Sequence, residues 1–389
     1  MGKVVAESAM QLAFDFNRPD EYTVHLPTYV DELWTSKQRA GHSLHEVSYR
    51  ACYKPQLPAY FIQKFCKKRS TVYDPFMGRG TTLIEGQLHG HCVIGNDVNP
   101  LSKILTAPRL NPPTLTDIKA RLSEIQLSTD AEIDEELLVF FHEDTLQEIY
   151  GWRTYFQQKQ LDTVDTWLQM VACSRLTGHS TGFFSVFTLP PNLAASIVAQ
   201  RKINEKRNQK PEYRDTKALI LRKSKQLLRH SLPKYFRRDD AMLLTESADT
   251  TPQIEDASVD LVVTSPPFLD TIDYMQDNWL RMWFCCIEIE EGKIWQLKSL
   301  DDWVDRMTDV FVELRRVLRP GGRVAFEVGE VRNGTVLLEN AVIKASLGAG
   351  LTPEKLMINT QKFTKTANCW GVSNNRKGTN SNRIVILKK

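Results

Sequence analysis

The chain has 389 residues, 42% hydrophobic and 25% charged, with a formal net charge of +3. This suits a soluble globular protein with room for a catalytic domain and an inserted subdomain, and no apolar run approaches membrane-spanning length. The seven cysteines and eight histidines lack metal-ligand spacing, and the start lacks a signal-peptide pattern, so no metal site, reduced thiols and a cytoplasmic location are expected.

In chain order, an N-terminal arm runs to about residue 45. A helix and an apolar strand then lead into Asp74-Pro75-Phe76-Met77-Gly78-Arg79-Gly80-Thr81-Thr82. The glycines permit a tight strand-to-helix turn and close approach of a ligand, and the helix start offers unpaired N–H groups. The next strand ends at Asp97, where a nucleoside-binding βαβ unit places a ribose-binding carboxylate. The third glycine of the dinucleotide fingerprint is not at its spacing, and no Gly-Lys-Ser/Thr loop occurs. A ligand with a ribose and no pyrophosphate therefore fits better than NAD or ATP. Residues 46–110 form this cofactor-binding half.

Residues 111–235 read as a mostly helical insert. Helical spacing over 162–176 points Trp167, Leu168 and Val171 inward, and over 214–232 it does the same for Leu219, Ile220, Leu227 and Leu228. Between residues 201 and 238 lie fourteen Lys and Arg against three acidic residues, with Lys223, Arg229 and Arg237 among them. Such concentration favours a surface facing a polyanion, with a solvated basic helix as the alternative. The stretch 178–185 is either a loop reaching bases or a packed turn.

The catalytic half spans 236–389. The apolar run Asp260-Leu261-Val262-Val263 reads as a buried strand and ends in Thr264-Ser265-Pro266-Pro267-Phe268. Two prolines cannot continue a strand ladder, so the chain leaves the sheet in a stiff bend that carries a hydroxyl, carbonyls and a flat ring. A helix over 273–284 offers Tyr274, Trp279 and Trp283 to core packing or to the cover of a pocket. An amphipathic helix over 302–318 leads to a Pro-Gly-Gly turn and another strand. The amide-rich stretch 373–382, with Asn374 and Arg376, either reads base edges or connects a hairpin to a last strand at 383–387.

Together these motifs resemble the DNA amino-methyltransferases that use S-adenosylmethionine, the N4-cytosine/N6-adenine family. The resemblance implies an α/β, Rossmann-like methyltransferase sheet with helices on both faces. It implies cofactor contacts from Lys54, Asp74, Phe76, Gly78, Gly80, Thr81, Thr82, Asp97 and the Asp240-Ala241 pair, and catalysis at Ser265, Pro266, Pro267 and Phe268. The substrate implied is double-stranded DNA, bound partly through Lys223, Arg229, Arg237, Asn374 and Arg376. Ser265 favours cytosine N4 in this family, with adenine N6 as runner-up, ahead of an RNA methyltransferase or an inert DNA-binding subunit. Family analogy adds a restriction or defence partner. The glycine loop precedes the catalytic motif, with the insert between them. No Pro-Cys dipeptide occurs, which argues against cytosine C5 chemistry.

Overall fold

The computed structural model describes residues 26–31, 41–128, 130–158, 160–236, 240–269, 273–290, 292–331, 336–360 and 381–389. The first elements are β1 (Thr28–Asp31), α1 (Gln56–Phe65), β2 (Thr71–Asp74), α2 (Thr81–Leu88), β3 (Cys92–Asn96) and α3 (Pro100–Leu110). The insert supplies α4 (Leu115–Glu124), α5 (Glu143–Gln157), α6 (Thr163–Cys173), α7 (Ile197–Arg207) and α8 (Thr216–Leu227). The catalytic half follows with β4 (Ala241–Leu244), β5 (Val259–Thr264), α9 (Tyr274–Cys285), α10 (Leu300–Val317) and β6 (Leu318–Val328). It ends with a small hairpin of β7 (Glu330–Val331) and β8 (Val336–Leu337), then α11 (Leu338–Gly348), β9 (Thr352–Thr360) and β10 (Ser381–Lys388).

Eight strands form one sheet in the order β1-β9-β10-β6-β5-β2-β3-β4. Only β10 runs antiparallel to its neighbours. The chain builds outward from β2 to β3 and β4, then returns to place β5 on the other side of β2. That reversal is a topological switch point, and it opens a crevice beyond the carboxyl ends of β2 and β5. Both central strands are apolar on each face, as a strand covered on both sides requires.

Alternation along the strands assigns the layers. Val72, Leu261, Val263 and Ala325 pack with Leu57, Phe61 and Ile62 of α1 on one face. Tyr73, Val262, Val324 and Phe326 pack with α10 and α11 on the other. On α10, Trp303, Met307, Val310, Phe311, Leu314 and Val317 are all buried. Each such side chain contributes about 1.5–3 kcal/mol relative to exposure. Ser299 caps its first turn by accepting from the Asp302 N–H, and Arg315 and Arg316 sit in its last turn, matched to the helix dipole. The insert shares a continuous core with α2 and α3: Trp152, Trp167, Leu168 and Ile220 cluster with Leu83, Ile84, Leu101 and Leu105. The stretch 178–185 is a packed turn, with Phe183, Phe184 and Ser185 buried and His179 to Thr181 exposed. The N-terminal arm does more than precede the domain, because β1 extends the sheet by pairing with β9.

Candidate active site

The glycine loop leaves β2 at Asp74 and enters α2 at Thr81. Gly78 and Gly80 both take left-handed φ, +47° and +72°. A Cβ on Gly80 would lie 2.3 Å from the Thr106 methyl carbon, so the α2–α3 approach requires glycine there. Gly80→Ala is expected to cost about 1–3 kcal/mol of stability, read as a lower midpoint in denaturant unfolding.

Asp97 follows β3. Its Oδ2 accepts the Gly78 N–H at 2.9 Å and its Oδ1 accepts the Asn99 N–H at 3.0 Å. Burial pushes this carboxyl above its ordinary pKa, so further hydrogen-bond donors would stabilise the charged form. Beside it, Asn99 lines the same cleft and its Nδ2 is buried without a partner among the described residues. Both groups fit a ribose diol. Arg79 donates to the carbonyls of His45 and Val47, at 3.0 and 2.8 Å, and so ties the segment before α1 to the loop.

The cleft holds about 840 Å³, counted out to its open mouth, within the usual range for cofactor sites. Phe76, Gly78 and Thr81 from the glycine loop, Asp97 after β3, and Ser265 and Pro267 from the bend after β5 line this one cleft, so the two distant loops meet. Asp74 lies beneath it as a brace. Tyr53 Oη and Thr264 Oγ1 donate to its two carboxylate oxygens at 2.8 and 2.6 Å, which ties the segment before α1 to the residue preceding Ser265. Burial raises Asp74 to about 6 against these donors. Thr82 donates to the Val263 carbonyl at 3.0 Å and likewise joins α2 to β5. Lys54 does not line the cleft; its carbonyl accepts the Leu57 N–H at the start of α1.

The Asp240-Ala241 assignment needs correction. Ala241 begins β4 and the Asp240 carbonyl accepts the Val93 N–H, so both sit at the amino end of the strand, away from the crevice. The residues that reach the cleft from β4 are Ser247 and Ala248, beyond its carboxyl end. Asn96 holds that turn by accepting the Glu246 N–H at 2.9 Å and donating to the Glu246 carbonyl at 3.0 Å. Strand direction was the available signal: the apolar run 242–244 has its ligand end after Leu244, not before it.

A second pocket, about 520 Å³ to its mouth, adjoins the first through Ala51, Cys52, Tyr53, Ser265 and Tyr274. Its other walls are Pro266, Phe268, Glu327 and Asn382. Ser265 thus stands where the two spaces meet. The Pro267 carbonyl accepts the Trp303 indole N–H at 3.0 Å, which pins the bend to α10. Glu327, at the end of β6, is a residue no motif pointed to. It is buried, hydrogen-bonds with the Ser265 side chain, and accepts from Asn382 Nδ2 at 2.6 Å. Burial raises its carboxyl above the ordinary range.

The basic insert divides by helical phase. Lys223 is only 6% exposed, and burial lowers its ammonium to about 8, so it does not face a polyanion. It sits four residues after Leu219 and four before Leu227, on the stripe that α8 buries, a position its spacing alone discloses. Arg229 is exposed and paired with Glu46. Arg237, Asn374 and Arg376 lie outside the described residues. Lys202, Lys206, Lys225 and Lys234 are exposed. Lys223→Met is expected to leave the salt dependence of binding to a polyanion unchanged, whereas replacing those four lysines by glutamine should flatten it. Titrating duplex DNA at several salt concentrations checks both.

A family model described as DNA methylase matches residues 9–103. Type II methyltransferase M.MvaI of Kocuria varians is 33% identical over 118 residues, covering 30% of this chain and 24% of that protein. Type II methyltransferase M.BsoBI of Geobacillus stearothermophilus is 23% identical over 303 residues, covering 70% of this chain and 58% of that protein. The chain therefore spans less than two thirds of the length of either relative. Among solved structures, TrmN from Thermus thermophilus aligns over 89% of this chain and 51% of its own, at 12% identity and a TM-score of 0.34. No helix among the described residues is long and apolar enough to cross a membrane. The ordered motifs, the family match over residues 9–103 and these relatives all liken the chain to DNA methyltransferases.

Proposed function

We propose that this protein methylates the exocyclic N4 amine of cytosine in double-stranded DNA, using S-adenosylmethionine. The observation that carries the reading is Ser265 at the junction of two adjoining spaces, one suited to a nucleoside-bearing cofactor and one lined for a planar base. Asp97 and Asn99 would hold the ribose, and the glycine loop would approach the rest of the cofactor. When bound, the cofactor supplies a methyl group already activated on a positively charged sulfur.

The amine of cytosine is a poor nucleophile because its lone pair is delocalised into the ring. The Ser265 hydroxyl oxygen accepts one amino hydrogen and the Pro266 carbonyl a second, which favours a pyramidal nitrogen with an available lone pair. Both acceptors stabilise positive charge as it grows on nitrogen. Phe268 offers a face on which the base stacks. A base in a duplex cannot enter such a pocket, so it must be everted. Exposed insert lysines would hold the flanking phosphates and fix register without reading sequence. No covalent enzyme intermediate is needed, and placement of the amine supplies much of the rate.

The test is incubation with methyl-labelled cofactor and genomic duplex DNA from a host lacking base methylation, followed by hydrolysis to nucleosides and mass spectrometry. N4-methylcytosine is the expected product. N6-methyladenine in its place would move the reading to adenine, and label recovered only from RNA would overturn DNA as substrate.

A further inference from the structure

Part of the cleft wall is built by a stretch that no motif identifies. Between α9 and α10, Lys293, Ile294 and Trp295 line the same cleft as Gly78 and Asp97. The Trp295 ring meets the Phe76 ring edge-on, with centroids 6.2 Å apart and planes at 68°. Arg306 of α10 places its guanidinium 5.4 Å from the Trp295 ring centre and reaches Asp249 Oδ2 at 3.4 Å, one residue beyond the cleft-lining Ala248. The indole is thus held between the glycine loop and α10, whose Arg306 also reaches the turn after β4. It also shares a small recess with Pro267, Phe268 and Trp303, so it borders the bend after β5. At the start of this stretch Gly292 has φ +86°, with nothing within 4 Å of where a Cβ would stand.

The chemistry of this end of the cleft is that of a purine slot. Phe76, Ala248, Ile294 and Trp295 provide flat and apolar walls, and Ser247 provides a polar edge. Asp97, suited to a ribose, adjoins it in the same cleft. A heteroaromatic base gains from ring faces and edges of this kind.

We infer that residues 292–299 form a strap across the purine end of the cofactor cleft, with Trp295 as its aromatic clamp and Arg306 as the brace that holds the indole in place. The inference rests on the cofactor reading above. It moves recognition of the purine from the amino end of β4 to a segment joining two helices of the catalytic half. A clamp of this kind slows release of the ligand, because the strap must lift before the base can leave.

The test uses S-adenosylhomocysteine as ligand, with calorimetry for affinity, tryptophan fluorescence for occupancy and stopped flow for release. Trp295→Ala is expected to weaken binding by about tenfold, mainly through faster release. Trp295→Phe retains a ring and should stay within about threefold of wild type, yet lose most of the fluorescence change that binding produces. Arg306→Ala should fall between the two, and its surface position makes it a second variant independent of any folding defect at Trp295. Binding of Trp295→Ala within twofold of wild type, or a wild-type fluorescence change in Trp295→Phe, would overturn the strap. A wild-type protein that does not bind S-adenosylhomocysteine would overturn the cofactor reading and the strap with it, an outcome distinguishable because it appears before any variant is made.

Discussion

Ser265→Ala is expected to slow methyl transfer by about 10²–10³-fold in single turnover, with affinity for S-adenosylhomocysteine within about twofold of wild type. The split follows from where Ser265 stands. Ser265 borders both spaces, but the proposed partner of its hydroxyl is the amine of the target base, and that bond strengthens only as nitrogen becomes cationic. The ribose contacts at Asp97 and Asn99 are untouched by the change. The bend also keeps its shape in the variant, since Trp303 still holds the Pro267 carbonyl and Asp74 still accepts from Thr264. Equal losses in rate and in cofactor affinity would assign Ser265 to cofactor binding and remove it from the chemistry. Rapid-quench measurement of labelled DNA, beside calorimetric titration of the cofactor product, separates the two.

What could be read from the chain and what could not divides along physical lines. The meeting of the Gly78 and Ser265 loops was legible because each loop carries a local backbone constraint. Glycines at positive φ turn a strand into a helix, and paired prolines end a strand, and both events happen at the carboxyl edge of a parallel sheet. Helices with an unbroken apolar stripe, such as α10, were legible for the same local reason. Lys223 was misplaced because counting charge along a segment ignores helical phase, although its spacing from Leu219 and Leu227 put it on the buried side. Asp240 was misplaced because a strand of four residues gives little periodicity with which to find its ends. The pairing of β1 with β9 and the approach of Trp295 to Phe76 join segments far apart in the chain, and they leave no local pattern at either partner. Glu327 was hidden differently: within Ala325-Phe326-Glu327-Val328 it alternates like any polar strand residue, and only the neighbouring β10 and the bend after β5 give it Asn382 and Ser265 as partners.

That partnership makes Glu327→Gln the second large effect. For the Ser265 oxygen to accept an amino hydrogen, its own hydrogen must point elsewhere, and an ionised Glu327 accepts it. Glutamine keeps the volume and can still engage Asn382, but its amide is a much weaker acceptor than a carboxylate. The methylation step is expected to fall by about 10²-fold, with cofactor affinity unchanged. The sign of the pH dependence follows from burial. Glu327 titrates above the ordinary carboxylate range, so in the wild type the rate falls as pH drops through that raised value and the carboxylate becomes protonated. Asp74, raised to about 6 and linked to the bend through Thr264, is the other carboxyl able to shape this acidic limb. Tyr53, Cys52 and Tyr274, the remaining titratable groups on the pocket wall, are all pushed upward by burial and stay neutral across it. Glu327→Gln should therefore remove the Glu327 contribution and leave that of Asp74. Stability should move the other way. A carboxyl whose folded pKa is raised stabilises the fold fully below its unfolded pKa and loses that contribution as pH rises through the folded value. At pH 8 the glutamine variant, which carries no buried charge, should thus unfold at a higher temperature than wild type while turning over far more slowly. A variant that is both slower and less stable, with the acidic limb unmoved, would make Glu327 a packing residue and leave Ser265 to orient its hydroxyl by another means.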